Sequence, residues 1–169
     1  MIKASILAAL NKQIQHEQSN AHTYDAMSLF FGRLGLHGFE AFMSQQAGEE
    51  RAHARKFIRH VADRGGRVEL AAIGAPQADM ESPLQAVNAV RDMERATTES
   101  IHRLFRTARE EGDYALEVLL HWYVTEQVEE EQWAEELAAM VKQFHDRPGQ
   151  LFMLDHQWGK RVTESEEDS

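Results

Sequence analysis

The chain has 169 residues and a mass of 19.3 kDa, enough for one domain with a sizeable hydrophobic core. Its formal net charge of −10 argues against nucleic acid or an anionic membrane as a partner, because both attract basic surfaces. Since the sequence has no cysteine, disulfides and thiolate metal sites are excluded, and any metal must be held by carboxylate, imidazole or amide groups. We expect no signal peptide and no membrane span, and therefore a cytoplasmic location.

Long segments rich in Ala, Leu, Glu, Gln and Arg predict an almost entirely α-helical chain. The first predicted helix runs from about residue 5 to 31, where the glycine-rich sequence GRLGLHG ends it. The second runs from about 38 to 64, and Gly65 and Gly66 follow its end. The next stretch, RVELAAIGAPQADME (67–81), has no helical period and predicts a long extended connection.

The third predicted helix has a clear start and a clear end. It opens with SPLQ, in which Ser82 is the N-cap, Pro83 takes the first helical position and Gln85 completes a capping box. Gly112 follows the last periodic residues and ends it. A connection as long as the one before Ser82 can carry the chain from one end of a helical bundle to the other.

Asp113 is expected to cap a fourth helix that runs to about residue 145. A short fifth helix over about 148–160 and an acidic, disordered tail over 163–169 follow it. Two short turns and one long crossover between four long helices predict an all-α fold, a four-helix bundle within a single domain over 1–169. A coiled coil is the alternative, but the regular loops disfavour it.

Each of the four long helices carries polar residues in the middle of its apolar stripe. Residues that lie equally far from a tight turn come side by side in an antiparallel hairpin, and this matches Glu17 with His53 and Glu94 with Glu130. The polar positions on the four stripes are Glu17 and Tyr24, then Gln46, Glu50 and His53, then Glu94, and finally Gln127 and Glu130.

If the two hairpins pack together, four glutamates and one histidine converge at mid-height inside the bundle. Buried carboxylates cost several kcal/mol each if they are ionised and unpaired, and no lysine or arginine lies near them on these stripes. Two divalent cations would balance the charge, and carboxylate with imidazole suits iron, manganese or zinc, with iron favoured for redox chemistry. Glu50 and His53, three residues apart on one helix, can reach the same ion.

Aromatic residues, methionines and the other histidines have simpler interpretations. Tyr24 is expected to be a packed aromatic residue whose hydroxyl faces the acidic centre, while Trp122 and Trp133 are interpreted as core or interface packing. The other histidines lack a partner at ligand spacing. The seven methionines are interpreted as core filling and not as haem ligands.

Four motifs, one in each long helix, resemble those of the bacterial non-haem ferritins of the ferritin-like di-iron family: LNKQIQHEQSNAHTY, QQAGEERAHARKFI, ERATTESI and HWYVTEQVEEE. The resemblance covers nearly the whole chain. It implies a ferritin-like bundle with a short fifth helix, which assembles with its own copies into a hollow, iron-storing cage, usually of 24 subunits. It also implies an enzyme, a ferroxidase that oxidises Fe(II) with dioxygen or peroxide and deposits Fe(III) mineral in the cage.

The resemblance further implies a dinuclear ferroxidase centre within each subunit. It assigns one iron to Glu17, Glu50 and His53. It assigns the second iron to Glu50 as a bridge, with Glu94 and Glu130. A third iron site is implied beside the pair, with the ligands Glu49, Glu126, Glu129 and Glu130.

Three further positions refine this comparison with the family. Tyr24 matches a family tyrosine beside the centre, a candidate electron donor. Where the di-iron pattern usually repeats Glu-x-x-His, this chain has Gln127-x-x-Glu130. The second site is therefore expected to bind iron more weakly, with Gln127 beside it. Haem-containing relatives have a methionine directly after the second helix's glutamate, and Arg51 at this position argues against haem.

Two other functions stay open on the sequence alone. One is a di-iron peroxidase of the rubrerythrin type, although the chain lacks the cysteines of a rubredoxin-like electron site. The other is a structural helical module without catalysis, whose buried acids are compensated by a partner.

Overall fold

The computed structural model describes residues 2–76 and 80–167, with side chains up to residue 162. Within these ranges the chain forms helices and no strand, which confirms the predicted all-α class. None of the described helices combines the length and the apolar character needed to cross a bilayer. The five helices are α1 (Ala4–Arg33), α2 (His37–Asp63), α3 (Pro83–Glu111), α4 (Tyr114–Phe144) and α5 (Pro148–Glu167).

Two tight turns make antiparallel hairpins of α1 with α2 and of α3 with α4. Gly35 and Gly112 sit in these turns with φ values of 72° and 66°, in the left-handed region that favours glycine. Asp113 then caps α4, since its Oδ1 accepts a hydrogen bond from the Leu116 backbone N–H at 3.1 Å. The glycines and the aspartate end and start these helices as the sequence predicts.

The long crossover runs from the end of α2 to the start of α3 along the surface of α1. The side chain of Asn11 makes two hydrogen bonds to the backbone of the crossover. Its Nδ2 donates to the Arg67 carbonyl at 3.2 Å, and its Oδ1 accepts from the Glu69 N–H at 3.0 Å. Gln15 donates to the Ala72 carbonyl at 2.7 Å. The described part of the predicted connection 67–81 is not helical, and residues 77–79 of it lie outside the described residues.

The capping of α3 differs in one detail from the predicted capping box. Ser82 Oγ accepts from the Gln85 N–H at 3.2 Å, as expected of an N-cap. The side-chain oxygen of Gln85, however, accepts from the N–H of Glu81 at 2.7 Å and not from that of Ser82. The reciprocal bond has moved one residue back along the chain.

The interior contains two apolar clusters at different heights, with a polar layer on the same stripes between them. One cluster is built around Phe31, Phe39, Leu137 and Trp158, near the turn between α1 and α2. The other lies toward the start of α1, with Ile6, Leu10, Phe57, Leu116 and Leu120. The two hydrophobic cores stabilise the bundle on both sides of the polar layer.

The fifth helix is longer than the predicted 148–160 and continues to Glu167. No glycine or proline follows Gly159 to end the helix. The acidic segment expected to be disordered is therefore helical as far as Glu167. Residues 168 and 169 of the predicted tail lie outside the described residues. The helix packs against α2 and α4.

A close crossing fixes α5 on the first turn of α2. Asp155 accepts backbone hydrogen bonds from Gly38 at 3.1 Å and Phe39 at 2.7 Å, which caps α2 from another helix. A Cβ added at Gly38 would lie 1.8 Å from the Asp155 carbonyl oxygen, and one at Gly159 would lie 3.0 Å from the Gly38 Cα. Only glycines allow the two backbones to approach this closely.

Candidate dinuclear metal centre

The polar residues on the four stripes meet at mid-height between the two apolar clusters. Each is at most 5 % exposed, so the residues form an interior layer and not a solvated acidic face. Helical periodicity places them there, because each shares a stripe with the hydrophobic residues above and below it. The residues are Glu17 on α1, Glu50 and His53 on α2, Glu94 on α3, and Gln127 and Glu130 on α4.

Glu17, Glu50 and His53 form a group that can hold one metal ion. One ligand atom from each lies within 4.8 Å of the other two. Within α2, the Oε2 of Glu50 and the Nδ1 of His53 are 3.6 Å apart, too far for a hydrogen bond between them. Two carboxylates and an imidazole at this separation are a donor set suited to a first-row metal.

Two carboxylate oxygens in this group have no hydrogen-bond partner among the described residues. They are Glu17 Oε2 and Glu50 Oε2, both buried. Buried polar atoms are nearly always hydrogen-bonded, and an unpartnered one costs about 1–3 kcal/mol, more when it is charged. In the described part of the chain, no lysine or arginine forms an ion pair with any of the four carboxylates of the layer. The buried carboxylates of this layer are therefore suited to binding cations.

The electrostatics of the layer favour the protonated carboxyl groups when no cation is present. Burial, with the neighbouring Glu50 carboxylate, raises the pKa of Glu17 well above its ordinary value. Burial, with the charge of Glu94, raises the pKa values of Glu50 and Glu130 in the same way. Burial raises the pKa of Glu94 to about 7, although hydrogen bonds from Tyr24 and Gln127 oppose the shift. A cation that binds here must displace protons.

The carboxylates of α3 and α4 are bonded to aromatic donors. The Tyr24 hydroxyl donates to Glu94 Oε1, and Trp133 Nε1 donates to Glu130 Oε2 at 2.6 Å. Gln127 Nε2 lies 3.4 Å from the other Glu94 oxygen, a weak contact. Burial, with the charge of Glu94, raises the pKa of Tyr24, so this hydroxyl stays a proton donor.

Trp133 has a role that the sequence interpretation missed. The sequence predicts packing for this residue, and its ring does lie 4.9 Å from that of Phe42 and 6.3 Å from that of Trp158. Its indole N–H, however, is bound to a carboxylate of the polar layer. The signal was present in the sequence, because Trp133 and Glu130 are three residues apart and share a helix face.

Two amides on α1 were also missed, Gln13 and Asn20. Gln13 Nε2 donates to Glu17 Oε1 at 2.7 Å, and a hydrogen bond from Asn20 lowers the pKa of Glu50. Both are buried. Their positions four residues before and three residues after Glu17 place them on its helix face, which is the signal that could have identified them.

A second group of ligand atoms adjoins the first. His53, Glu126 and Glu130 each have one ligand atom within 4.8 Å of the other two. Glu126 is half-buried, and burial raises its pKa. Of the other residues predicted for a third site, Glu49 is half-buried and accepts bonds from two glutamines of its own helix, and Glu129 is exposed and lies outside this group.

The imidazole of His53 is held by aromatic neighbours from α4. Its ring lies 5.3 Å from that of Trp122, edge to face, and the Nζ of Lys56 lies 2.9 Å from the centroid of the Trp122 ring. The Tyr123 hydroxyl donates to the His53 carbonyl at 2.7 Å. These contacts join α2 to α4 beside the centre.

Comparisons with known proteins identify the family of this chain. The profile of the ferritin-like domain matches residues 7–144. A bacterial non-haem ferritin of Staphylococcus aureus is 34 % identical over 166 residues, covering 98 % of this chain and all of the relative. Its counterpart in Staphylococcus haemolyticus is 32 % identical over the same share.

Solved structures agree with the sequence relatives. The open-pore ferritin of the archaeon Archaeoglobus fulgidus is 37 % identical, with a TM-score of 0.92 over 94 % of this chain and 98 % of that chain. An engineered closed form of the same ferritin matches with a TM-score of 0.91. Sequence profile, full-length relatives and fold thus agree, and this chain belongs to the ferritin family.

Proposed function

We infer that this protein is an iron-storage ferritin with ferroxidase activity. It oxidises Fe(II) at the dinuclear centre and holds the Fe(III) product as mineral inside a cage of its own copies. The observation that carries this inference is the pair of buried carboxylate oxygens without donors, Glu17 Oε2 and Glu50 Oε2, beside His53. Buried acids without a cationic side chain nearby are explained by cations that bind there.

In this proposal the two iron ions share Glu50. Glu17, Glu50 and His53 bind the first ion, and Glu50, Glu94 and Glu130 bind the second. The position of Glu50 supports the bridging role, because Glu50 lies beside Glu17 and His53. The charges of Glu94 and Glu130 also raise its pKa. Gln127, which stands where the family pattern has a glutamate ligand, supports a weaker second site.

The chemistry requires two electrons from two neighbouring ions. Two Fe(II) ions each lose one electron, and one dioxygen with two protons becomes hydrogen peroxide. With hydrogen peroxide as the oxidant, the same two electrons and two protons give two waters. The protein's part is to hold both ions beside one oxidant and to surround the ferric products with carboxylates, which bind the higher charge more strongly.

Tyr24 and the adjoining group have supporting roles. The Tyr24 hydroxyl donates to Glu94, so it holds that carboxylate in place and is close enough to supply an electron. Glu126, Glu130 and His53 support a third iron position next to the pair. The charge of Glu49 acts on both Glu126 and Glu130, which supports Glu49 as a further ligand there. Glu129, which is exposed, is proposed as a ligand on the outer side of this position.

The cage is formed by self-association, which we propose reaches 24 subunits. Phe152 and Met153 on α5 are 53 % and 74 % exposed, and apolar residues left in solvent by one subunit are explained by contact with a neighbouring copy. We place the protein in the cytoplasm, where a reducing environment supplies iron as Fe(II).

Native mass measurement of the purified protein after Fe(II) loading in air tests the proposal. A large particle that gains iron mass supports storage in a cage. A small oligomer that binds two irons and turns over peroxide would instead support the rubrerythrin-like alternative. A protein that binds no metal would support a structural module and contradict the proposed function.

A further inference from the structure

The buried amide of Gln13 decides which oxygen of Glu17 is free. Gln13 is 3 % exposed and lies one helical turn before Glu17 on α1. Its Nε2 donates to Glu17 Oε1 at 2.7 Å, while Oε2 has no partner among the described residues. One oxygen is thus bound inside the protein, and the other is left for a ligand.

A hydroxyl on α3 bonds to the other end of this amide. Ser100 Oγ donates to Gln13 Oε1 at 2.6 Å, across the interface between α1 and α3. If the amide turned over, its oxygen would face the Glu17 carboxylate, and two acceptors would repel each other. The Glu17 carboxylate, which only accepts, therefore sets which end of the amide faces it, and the Ser100 hydroxyl holds the other end in place.

A second buried amide of α1 also bonds to a hydroxyl of α3, but here the amide is the donor. Asn20, which is 4 % exposed, donates through Nδ2 to Thr97 Oγ1 at 2.9 Å. Thr97 is on α3, three residues before Ser100, and its own hydroxyl donates to the Met93 carbonyl at 3.1 Å. Two buried amides of α1 therefore bond to two hydroxyls of α3, and Gln13 also bonds to a carboxylate of the centre.

We propose that Gln13 and Ser100 are positioning residues for the ferroxidase centre. Ser100 holds the Gln13 amide in place, Gln13 occupies one oxygen of Glu17, and Glu17 therefore binds the first iron through a single oxygen. A carboxylate held in this way keeps a coordination position open, and open positions are a mark of catalytic as opposed to closed structural metal sites. The proposal rests on the proposed function, because it takes Glu17 to be an iron ligand.

Co(II) binding to the full-length protein is a suitable test, because its visible spectrum reports the number of ligands. Gln13→Met keeps the length of the side chain but removes the donor, and Ser100→Ala removes the hydroxyl that holds the Gln13 amide in place. Ser100→Thr keeps that hydroxyl. Thr107→Ala is the matched control, since Thr107 is on the same helix, is half-buried like Ser100, and donates only within its helix, to Arg103 at 3.1 Å.

We expect Gln13→Met and Ser100→Ala to bind the first Co(II) about 10- to 100-fold more weakly in anaerobic calorimetry, as is typical when a residue that orients a metal ligand is lost. Their Co(II) absorption should also weaken, because Glu17 is free to bind through both oxygens and raise the coordination number. Ser100→Thr should restore both the affinity and the spectrum. Thr107→Ala should change neither.

The outcomes separate this proposal from the proposed function. Unchanged affinity and an unchanged spectrum in Ser100→Ala and Gln13→Met would overturn the positioning role, with the ferroxidase assignment intact. A wild-type protein that neither binds Co(II) nor oxidises Fe(II) would overturn the assignment itself. Circular dichroism checks folding, and if Gln13→Met does not fold, the Ser100→Ala and Ser100→Thr pair decides alone.

Discussion

The two halves of the metal centre both contain two buried carboxylates, but the surroundings of these carboxylates differ. On the α1 and α2 side, Glu17 and Glu50 each have an oxygen without a hydrogen-bond donor. On the α3 and α4 side, an aromatic residue donates to each carboxylate, Tyr24 to Glu94 and Trp133 to Glu130. The first half is open to a cation, while the second half already has hydrogen bonds in place.

From this difference we expect the hydrogen-bond donors around a buried carboxylate, more than its burial, to determine how strongly it binds a metal. An aromatic N–H or O–H bonded to a carboxylate reduces the charge that a cation meets, while an unpartnered oxygen gives a cation its full attraction. We therefore expect the α1 and α2 half to fill first and more tightly. Gln127, in place of a glutamate ligand, is a second reason to expect weaker metal binding in the α3 and α4 half.

The largest effect is expected from Glu50→Ala, because Glu50 is the ligand that we propose both halves share. The initial rate of Fe(II) oxidation in air should fall by about 100-fold or more, since even changes to residues behind a ligand cost about 10- to 100-fold. Absorbance of the ferric product measures the rate. The control is Glu99→Ala, whose side chain is 77 % exposed and lies 3.7 Å from Arg103. A wild-type rate in Glu50→Ala would show that the halves do not share a ligand.

A change in one half alone should separate the two sites. Tyr24→Phe and Trp133→Phe each remove a donor from the α3 and α4 carboxylates and leave the ring packing in place. We expect the second Zn(II) to bind about 10-fold more tightly, because each carboxylate regains the charge that its donor reduced and a hydrogen bond to a charged group is worth about 1.5–3 kcal/mol, with the first Zn(II) unchanged. Two-step calorimetry without oxygen measures both affinities. Equal changes at both steps would mean that the halves are not independent.

The metal-free protein should lose stability as the pH rises. Glu94 has a pKa of about 7 in the fold, above its ordinary 4.5, so the folded state holds its proton more tightly than the unfolded chain does. Its contribution, up to about 3 kcal/mol at about 1.4 kcal/mol per pKa unit, is present below about pH 4.5 and is lost by about pH 7. The raised pKa values of Glu17, Glu50 and Glu130 act in the same direction.

Thermal unfolding of chelator-treated protein at about pH 5.5 and about pH 8 measures this trend. The metal-loaded protein should behave in the opposite way, because metal binding is stronger once the carboxyl groups have lost their protons. A melting temperature of the metal-free protein that rises across this range would contradict the raised pKa values.

The smallest effects are expected at the adjoining third position. Glu126→Ala removes a half-buried carboxylate that lies with His53 and Glu130, whereas Glu129→Ala removes an exposed one outside that group. We expect Glu126→Ala to reduce the anaerobic Fe(II) stoichiometry from three to two per subunit, and Glu129→Ala to leave it nearly unchanged. An equal effect of both substitutions would show that Glu129 holds the third ion as firmly as Glu126 does.

Much of the fold follows from local signals in the sequence. Glycines and capping residues mark the turns, so the four long helices and the crossover could be placed from Gly35, Ser82 and Gly112. The polar layer could be placed too, because Glu17, Glu50, Glu94 and Glu130 interrupt apolar stripes. The length of α5 was underestimated because low hydrophobicity after Gly159 indicated disorder, while nothing in the segment breaks a helix.

Contacts between helices that are distant in sequence could not be predicted in the same way. The pairing of Gln13 with Ser100 depends on how α1 and α3 are rotated about their axes, which a single helix's periodicity does not determine. The bond between Trp133 and Glu130 is local and could have been anticipated from the spacing. This hydrogen bond is not predicted because the large indole makes core packing the natural interpretation of a tryptophan.

The cap that Asp155 places on the start of α2 has a consequence for how the chain is made. Synthesis proceeds from the N-terminus, so α1 and α2 leave the ribosome long before α5 exists. Until α5 arrives, the first N–H groups of α2 lack this acceptor, and the helix that carries Glu50 and His53 starts without its cap. A nascent chain that stops before Asp155 lacks these two hydrogen bonds, so the start of the helix that carries Glu50 and His53 gains its cap only once α5 has been made.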